Sequence, residues 1–170
     1  ARGIDSTAHT SALKNSGRTI AVIGSGLDVI YPAENKKLFN EIRDKGVIIS
    51  EFNLGTLPNA ENFPKRNRII SGLTLGTLVI ETAITGGAMQ TARLALDQNR
   101  EVFALPGNVG VKQSDGTNLL IQKGEAKLIT SAEDVITELE IKLKPVLGKN
   151  IPKQQIDLSL FEEKIINVLN

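Results

Sequence analysis

The chain has 170 residues, of which 41% are hydrophobic and 23% are charged, and its formal net charge at pH 7 is +1. A chain of this length and composition can bury a substantial core, whereas its balanced charge excludes binding of a polyanion through a whole-protein electrostatic field. Any polyanion partner must therefore be held by a local patch.

The sequence also lacks features that would assign it to other classes. No apolar run approaches the ~20 residues of a membrane-spanning helix, and the N-terminus has no signal-peptide pattern, so we predict no membrane partner. The absence of cysteine excludes disulfides, thiolate metal ligands and a cysteine nucleophile, and it fits a reducing cytoplasm. No group of carboxylates has the spacing of a metal site, and we predict no metal.

The N-terminal half is predicted to alternate helices with strands. The chain starts without Met, and we expect a further strand upstream of it. A first helix is capped by Asp5 and ends at Gly17, because glycine is favoured just after a helix end. The elements that follow are a buried strand at 19–23, the turn Gly24-Ser25-Gly26, a helix at 34–45, a strand at 47–50 and a loop at 52–61.

The second half repeats this order. Strands are predicted at 77–80, 101–105 and 127–129, and helices after the turn at 81–87, at 118–123 and at 132–143. Strands alternating with helices at this spacing predict a Rossmann-like α/β fold with a mostly parallel sheet in a three-layer α/β/α arrangement. Open sheets of this kind bind ligands at the carboxyl ends of their strands. We assign residues 1–143 to this domain, 144–157 to a linker, and 158–170 to the start of a truncated C-terminal domain.

Residues 62–72 place three cations within four residues, beside one aromatic ring. The four side chains are those of Phe63, Lys65, Arg66 and Arg68. Asn62 is predicted to cap a helix with Pro64 in its first turn. Cations near a helix N-terminus cost about 0.3–1 kcal/mol each, whereas an anion is favoured there. Because no acid lies between Glu61 and Glu81, a bound phosphate would resolve the conflict. The alternative is a solvated basic face over an apolar one.

Two glycine motifs follow predicted strands. Gly24-x-Gly26 is similar to a dinucleotide fingerprint, but Val29 replaces the third glycine and Pro32 delays the helix, so we predict no nicotinamide cofactor. Thr85-Gly86-Gly87 before a helix either forms an anion-binding nest of N–H groups or only supplies turn conformation. A catalytic role for His9 would need a nucleophile motif, which the sequence lacks. We therefore interpret His9 as a capping and packing residue.

Several long runs of the sequence resemble the DprA/Smf family of bacterial DNA-processing proteins. Together they cover most of residues 1–131. The runs are Ala1-Arg2-Gly3-Ile4-Asp5-x-x-Ala8-His9, Ile20-Ala21-Val22-x-Gly24-x-Gly26-Leu27-Asp28-Val29-Ile30-Tyr31-Pro32, Ser50-Glu51-Phe52, Asn62-Phe63-Pro64-x-Arg66-Asn67-Arg68-Ile69-Ile70-Ser71-Gly72-Leu73 and Arg100-Glu101-Val102-Phe103-Ala104-x-Pro106-Gly107.

The resemblance implies a Rossmann-like domain that binds single-stranded DNA without cutting it, dimerises, protects incoming DNA, and helps load the RecA recombinase in natural transformation. The residues expected to bind DNA are Arg2, Phe63, Lys65, Arg66, Asn67, Arg68, Thr85, Gly86 and Gly87. Those expected in the dimer interface are Asn118, Leu119, Leu120 and Leu128. Three consecutive apolar residues, 119–121, support the interface because one short helix is not expected to bury them all against its own sheet.

This sequence departs from the family pattern in three places. The first strand and its phosphate-binding loop are absent, Thr85-Gly86-Gly87 stands where a Ser-Gly pair is usual, and Glu125 is an extra residue near the expected dimer surface. The tail from residue 158 resembles the start of a winged-helix-like domain. An enzyme alternative is a nucleotide phosphoribohydrolase of the related LOG, lysine-decarboxylase-like, family. Its Pro-Gly-Gly-x-Gly-Thr-x-x-Glu hallmark is missing, and we predict a non-catalytic protein without a cofactor.

Overall fold

The computed structural model of the chain describes residues 3–147. Five short strands alternate with six helices in this range, and a 3-10 turn at Ala33–Asn35 precedes the second helix. The elements are α1 (Ile4–Lys14), β1 (Ile20–Val22), α2 (Lys36–Lys45), β2 (Val47–Ile49), α3 (Asn62–Gly72), β3 (Gly76–Val79), α4 (Gly87–Asp97), β4 (Glu101–Ala104), α5 (Asp115–Gln122), β5 (Lys127–Leu128) and α6 (Ala132–Leu147).

All strand pairing in the described residues is parallel. Strand β1 pairs with β2, with Ile20 opposite Val47, and β4 lies between β3 and β5 in a second ladder. Helices connect the paired strands, as parallel pairing requires. The predicted Rossmann-like α/β class is confirmed, and each of the five predicted strands is present.

The main core lies between helix α4 and the second ladder. Ala92 and Ala95 of α4 are completely buried, and they pack with Val79 of β3 and Val102 of β4. Phe103 is 1% exposed, and its ring approaches Gly76 so closely that a Cβ there would lie 2.8 Å from Cε2. Glycine at position 76 therefore makes room for the largest buried side chain of this sheet.

Helix α5 contributes unequally buried apolar residues to the core of the same chain. Leu120 is 0% exposed and belongs to the core, and Ile121 packs against that core. Leu119 is partly buried. Of these three side chains, the helix therefore buries only Leu120 completely, and the predicted interface role of Leu120 was wrong because this side chain has no surface to offer a second copy. Leu128 of β5, by contrast, is 46% exposed.

Helix boundaries differ from the predictions at several ends. Helix α1 ends at Lys14 with Asn15 as its C-cap, so Gly17 does not end it as predicted. Helix α2 begins at residue 36 in place of 34, and α5 spans 115–122 in place of 118–123. Gly3, with a φ of 64°, is the N-cap of α1 in place of Asp5. Glu61 is the N-cap of α3, and Asn62 is the first residue of that helix. Helix α6 continues to Leu147, so residues 144–147 of the predicted linker are helical. The remainder of the linker and the predicted domain start at 158–170 lie outside the described residues.

By its internal contacts the chain divides into a compact unit that ends at Asp134 and a second unit that begins at Val135. The site described below lies in the first unit. Among residues 3–147, no helix has both the length and the apolar character needed to cross a membrane.

The burial of Leu120 gives a stability prediction. Leu120→Ala should lower the free energy of unfolding by about 2–5 kcal/mol, because it removes buried methyl groups and leaves a cavity. Leu128→Ala is the matched control on an exposed side chain, and it should change stability by about 1 kcal/mol or less. Chemical denaturation followed by circular dichroism measures both. Equal losses for the two variants would contradict the placement of Leu120 in the core.

Candidate nucleic-acid interface

The candidate site is built where helix α3 meets the carboxyl end of strand β1. Asn62, at the first position of α3, is buried, and its amide donates to the carbonyl of Gly24 at 3.0 Å and to that of Leu57 at 3.2 Å. Asn62 therefore ties the turn after β1 to the loop before α3. The sequence predicted this residue as a helix cap, which was wrong because its side chain is used by these two segments.

Packing inside the chain leaves little room for a side chain at Gly24 and none at Gly26. A Cβ on Gly24 would lie 3.2 Å from Cδ1 of Phe63, and one on Gly26 would lie 2.6 Å from the carbonyl oxygen of Asn53. The Gly26 amide donates to the Thr56 carbonyl at 2.9 Å. Close approach of the loop before α3 thus accounts for the spacing that is similar to a dinucleotide fingerprint.

Arg66 holds helix α3 against strand β1. Its Nη1 donates to the carbonyl of Val22, the last residue of β1, at 2.6 Å, and its Nε donates to Oδ1 of Asn67 at 3.2 Å. The guanidinium carbon lies 5.7 Å from the centre of the Phe63 ring. Burial lowers the pKa of Arg66, while Asp5 acts in the opposite direction. Arginine nevertheless stays protonated at neutral pH, so Arg66 supplies a fixed positive charge whose donors are partly occupied.

Arg68 is paired with an acid that comes from another element. Its Nη2 donates to both carboxylate oxygens of Glu51, at 2.6 and 2.5 Å. Glu51 follows β2 and is 17 residues away in sequence, so the absence of acids from residues 62–80 gave no sign of it. The two side chains are about half exposed, and an exposed pair of this kind contributes roughly 0–1 kcal/mol. A competing phosphate could therefore replace Glu51.

The Glu51–Arg68 pair stands at an open pocket of about 400 Å³. The other lining residues are Ile49, Ser50, Ile69, Gly72 and Leu73. Most of this lining is apolar. Among the lining residues, only Glu51 and Arg68 carry a charge. An anion entering it would meet Arg68 already neutralised.

Lys65 and Asn67, the residues before and after Arg66, differ in their exposure to solvent. Lys65 is exposed and forms no ion pair among residues 3–147, so its charge faces solvent. Asn67 is 8% exposed and accepts the hydrogen bond from Arg66. Its burial does not fit the predicted DNA contact, and Asn67 instead orients the Arg66 guanidinium.

Thr85, Gly86 and Gly87 lie beyond the carboxyl end of β3, at the start of helix α4. Thr85 and Gly87 are exposed, and Gly86 is the N-cap of α4. A Cβ on Gly86 would collide with Oγ1 of Thr82 and would lie 3.0 Å from the carbonyl oxygen of Ala83, so the turn favours glycine at this position. The structure is compatible with both interpretations of Thr85-Gly86-Gly87, as an anion-binding nest and as a turn. A tight turn and an exposed helix N-terminus occur together here.

Asn118 closes the loop that follows strand β4. Its amide oxygen accepts from the Gly107 N–H and its amide nitrogen donates to the Gly107 carbonyl, both at 3.0 Å. The Gly116 N–H, in the first turn of α5, donates to the carbonyl of Thr82 at 2.9 Å, which joins the start of α5 to the loop after β3. The predicted dimer contact of Asn118 is untested, but its side chain already has this role within the chain.

Two further residues singled out from the sequence remain to be placed. Arg2 lies outside the described residues. His9 is half-buried, its Nδ1 is 2.7 Å from Oγ1 of Thr19, and burial lowers its pKa, with Asp5 acting in the opposite direction. No group of three or more metal-binding side chains occurs in the part of the chain that the structure describes.

One aromatic residue was missed as a site candidate by sequence reasoning. Tyr31 lies beside Phe63, with ring centroids 6.0 Å apart and an angle of 41° between the ring planes. The two residues are 32 positions apart, and periodicity cannot pair them. The signal available in the sequence was that Tyr31 is the single tyrosine and lies five residues after Gly26, the end of the first glycine turn.

Comparison with known proteins agrees with this geometry. Residues 1–140 match the family described as DNA recombination-mediator protein A. The chain belongs to the DprA/Smf family. It is 48% identical over 140 residues to the DNA processing protein DprA of Streptococcus pneumoniae, which is 82% of this chain and 49% of that protein. It is 46% identical over 175 residues to protein Smf of Escherichia coli, which is 99% of this chain and 46% of that protein.

Two solved structures of DprA proteins are similar to this one. The crystal structure of DprA from Streptococcus pneumoniae matches with a TM-score of 0.76 at 47% identity, over 81% of this chain and 48% of that chain. DNA processing protein A from Helicobacter pylori, described as having a unique single-stranded DNA binding mode, matches with a TM-score of 0.69 at 27% identity, over 84% and 77% of the two chains. The chain spans about half the length of the curated DprA/Smf relatives reported above.

The different environments of Arg66 and Lys65 predict different effects on stability. Arg66→Ala should lower the free energy of unfolding by about 1.5–3 kcal/mol, because the Val22 carbonyl loses a charge-assisted hydrogen bond. Lys65→Ala should change it by less than about 0.5 kcal/mol. Arg66→Lys retains the charge but not the planar donor group of arginine, so this variant should also be less stable than the parent. Thermal melting of the three variants checks this; a fully stable Arg66→Ala protein would refute the structural role.

Proposed function

We propose that this chain binds single-stranded DNA without catalysing its cleavage. The observation that carries the proposal is the surface at the start of α3, where the Arg66 guanidinium lies over the Phe63 ring and Lys65, the residue before Arg66 in the sequence, is exposed. Cations beside aromatic rings are the combination that binds single strands, because phosphates pair with the charges and any base can stack on a ring. Membership of the DprA/Smf family and the single-stranded DNA binding mode described for the Helicobacter pylori relative support it.

Within this proposal the site residues have separate roles. Lys65 contacts phosphate directly, and Arg68 does so after exchanging Glu51 for the strand. Arg66 contributes charge from a fixed position, Phe63 offers a stacking surface, and the exposed N-terminus of α4 at Thr85–Gly87 accepts a further phosphate. Arg2 is proposed as an additional contact from the resemblance alone.

The cellular role is also a proposal. It comprises protection of incoming single strands in the cytoplasm, loading of a RecA-type recombinase in natural transformation, and action as a homodimer that uses Asn118, Leu119 and Leu128. Leu120 is not part of the proposed interface because it is a core residue. We further propose that the protein is not an enzyme. Incubation with nucleoside monophosphates should release no free base.

Fluorescence anisotropy with a labelled oligothymidylate tests DNA binding and the role of Lys65. Lys65→Ala should weaken binding and make the plot of log affinity against log salt shallower by about 0.7, because one phosphate contact is lost. Lys45→Ala is the control, since Lys45 ends α2 just before β2 and so lies at the opposite end of that strand from Glu51. The proposal fails if the parent does not bind, or if the two variants behave alike.

Glu51 should act as an internal competitor of the bound strand. Glu51→Gln removes the carboxylate that neutralises Arg68, so this variant should bind oligothymidylate more tightly than the parent, with a salt slope steeper by about 0.7. The double variant Glu51→Gln with Arg68→Ala should lose this gain. An unchanged affinity in Glu51→Gln would show that Arg68 does not reach phosphate.

A further inference from the structure

Tyr31 and Phe63 form a pair of rings at the carboxyl end of β1. Their centroids are 6.0 Å apart, and the ring planes are inclined by 41°. Tyr31 follows the turn at 24–26 and is 48% exposed, whereas Phe63 is less exposed. Aromatic side chains that bind single strands must leave one ring face open to a base.

Phe63 is confined by its neighbours. The Arg66 guanidinium lies over its ring at 5.7 Å from the centroid, and Gly24 lies against the ring near Cδ1 and Cε1. The Tyr31 ring is a third neighbour of the Phe63 ring. Of the two aromatic side chains, Tyr31 therefore has the larger area available to a base.

The geometry of the pair also decides how bases would be held. A base clamped between two rings would need parallel planes about 7 Å apart, twice the ~3.5 Å contact distance between carbon atoms. The observed rings are closer than that and are inclined. In this arrangement the two rings do not sandwich one base, and Tyr31 is the ring with more exposed area for a base to stack on.

We infer that Tyr31 is a base-stacking residue of the proposed DNA site and that it takes a different nucleobase from Phe63. The ligand class is a single strand with unpaired nucleobases. Its phosphates are held by the cations of α3, among which Lys65 is exposed. This inference rests on the proposed function, because it assigns a further binding residue to the same surface. The competing interpretation is that Tyr31 only supports Phe63 through aromatic packing.

Intrinsic fluorescence tests the inference without any substitution. The chain has one tyrosine and no tryptophan, so its emission comes from Tyr31. Stacking on a base quenches tyrosine emission, whereas a phosphate contact alone supplies no ring to stack on. The titration uses oligothymidylate and, as a control, an abasic strand of equal length and charge, with anisotropy recorded in parallel.

Oligothymidylate should quench the emission with the same midpoint as the anisotropy change, and the abasic strand should bind without quenching. Unchanged emission with oligothymidylate bound would overturn the role of Tyr31 while leaving the proposed function intact. Absence of binding by anisotropy would overturn both.

Substitutions provide the second test. Tyr31→Leu retains apolar packing against Phe63 but has no ring, and it should weaken binding of oligothymidylate about 5- to 150-fold, the effect expected for one stacked base. Its salt slope and its affinity for the abasic strand should stay those of the parent, because no phosphate contact is lost. Tyr31→Phe keeps the ring and should bind like the parent.

Leu54→Ala is the matched control, since Leu54 is 73% exposed in the loop before α3. Thermal melting verifies that each variant is folded, and if Tyr31→Leu does not fold, the fluorescence titration decides. Parent-like affinity in a folded Tyr31→Leu, or an equal loss of affinity for both strands, would overturn the inference.

Discussion

The structure of the candidate site depends on the hydrogen bond between the Arg66 guanidinium and the carbonyl of Val22. This 2.6 Å contact joins helix α3 to the last residue of strand β1. The same guanidinium covers the Phe63 ring, and that ring packs on Gly24. Because the start of α3 is fixed at the carboxyl end of a parallel strand, the neighbouring charge and rings are presented at the edge where open α/β sheets bind ligands.

The three cations of residues 65–68 have three different environments despite their proximity in sequence. Arg66 is partly buried and bonded to backbone, Arg68 is neutralised by Glu51, and Lys65 faces solvent. The free protein therefore presents less positive charge than the sequence suggests. Binding of a single strand would draw on ring stacking as well as on charge, which fits affinity that tolerates different base sequences.

The loops beyond β3 and β4 are held by bonds within the chain. The Asn118 amide closes on Gly107, and the Gly116 N–H reaches the Thr82 carbonyl. The bond from Gly116 holds Thr82, which lies in the loop that leads from β3 into α4. Residues that sequence reasoning assigned to a partner surface can thus serve the fold itself, and Leu120 is the clearest example because it is fully buried.

The sequence by itself determined the five strands, the Rossmann-like class and the location of the basic stretch on α3. Short apolar runs between turn residues define buried parallel strands, and the cations are contiguous in the chain. The tertiary structure decided which groups those side chains meet: Glu51 for Arg68, two carbonyls for Asn62, and Tyr31 for Phe63. Periodicity reports which face of an element is apolar, whereas ion pairs, side-chain hydrogen bonds and ring contacts join residues that only folding brings together.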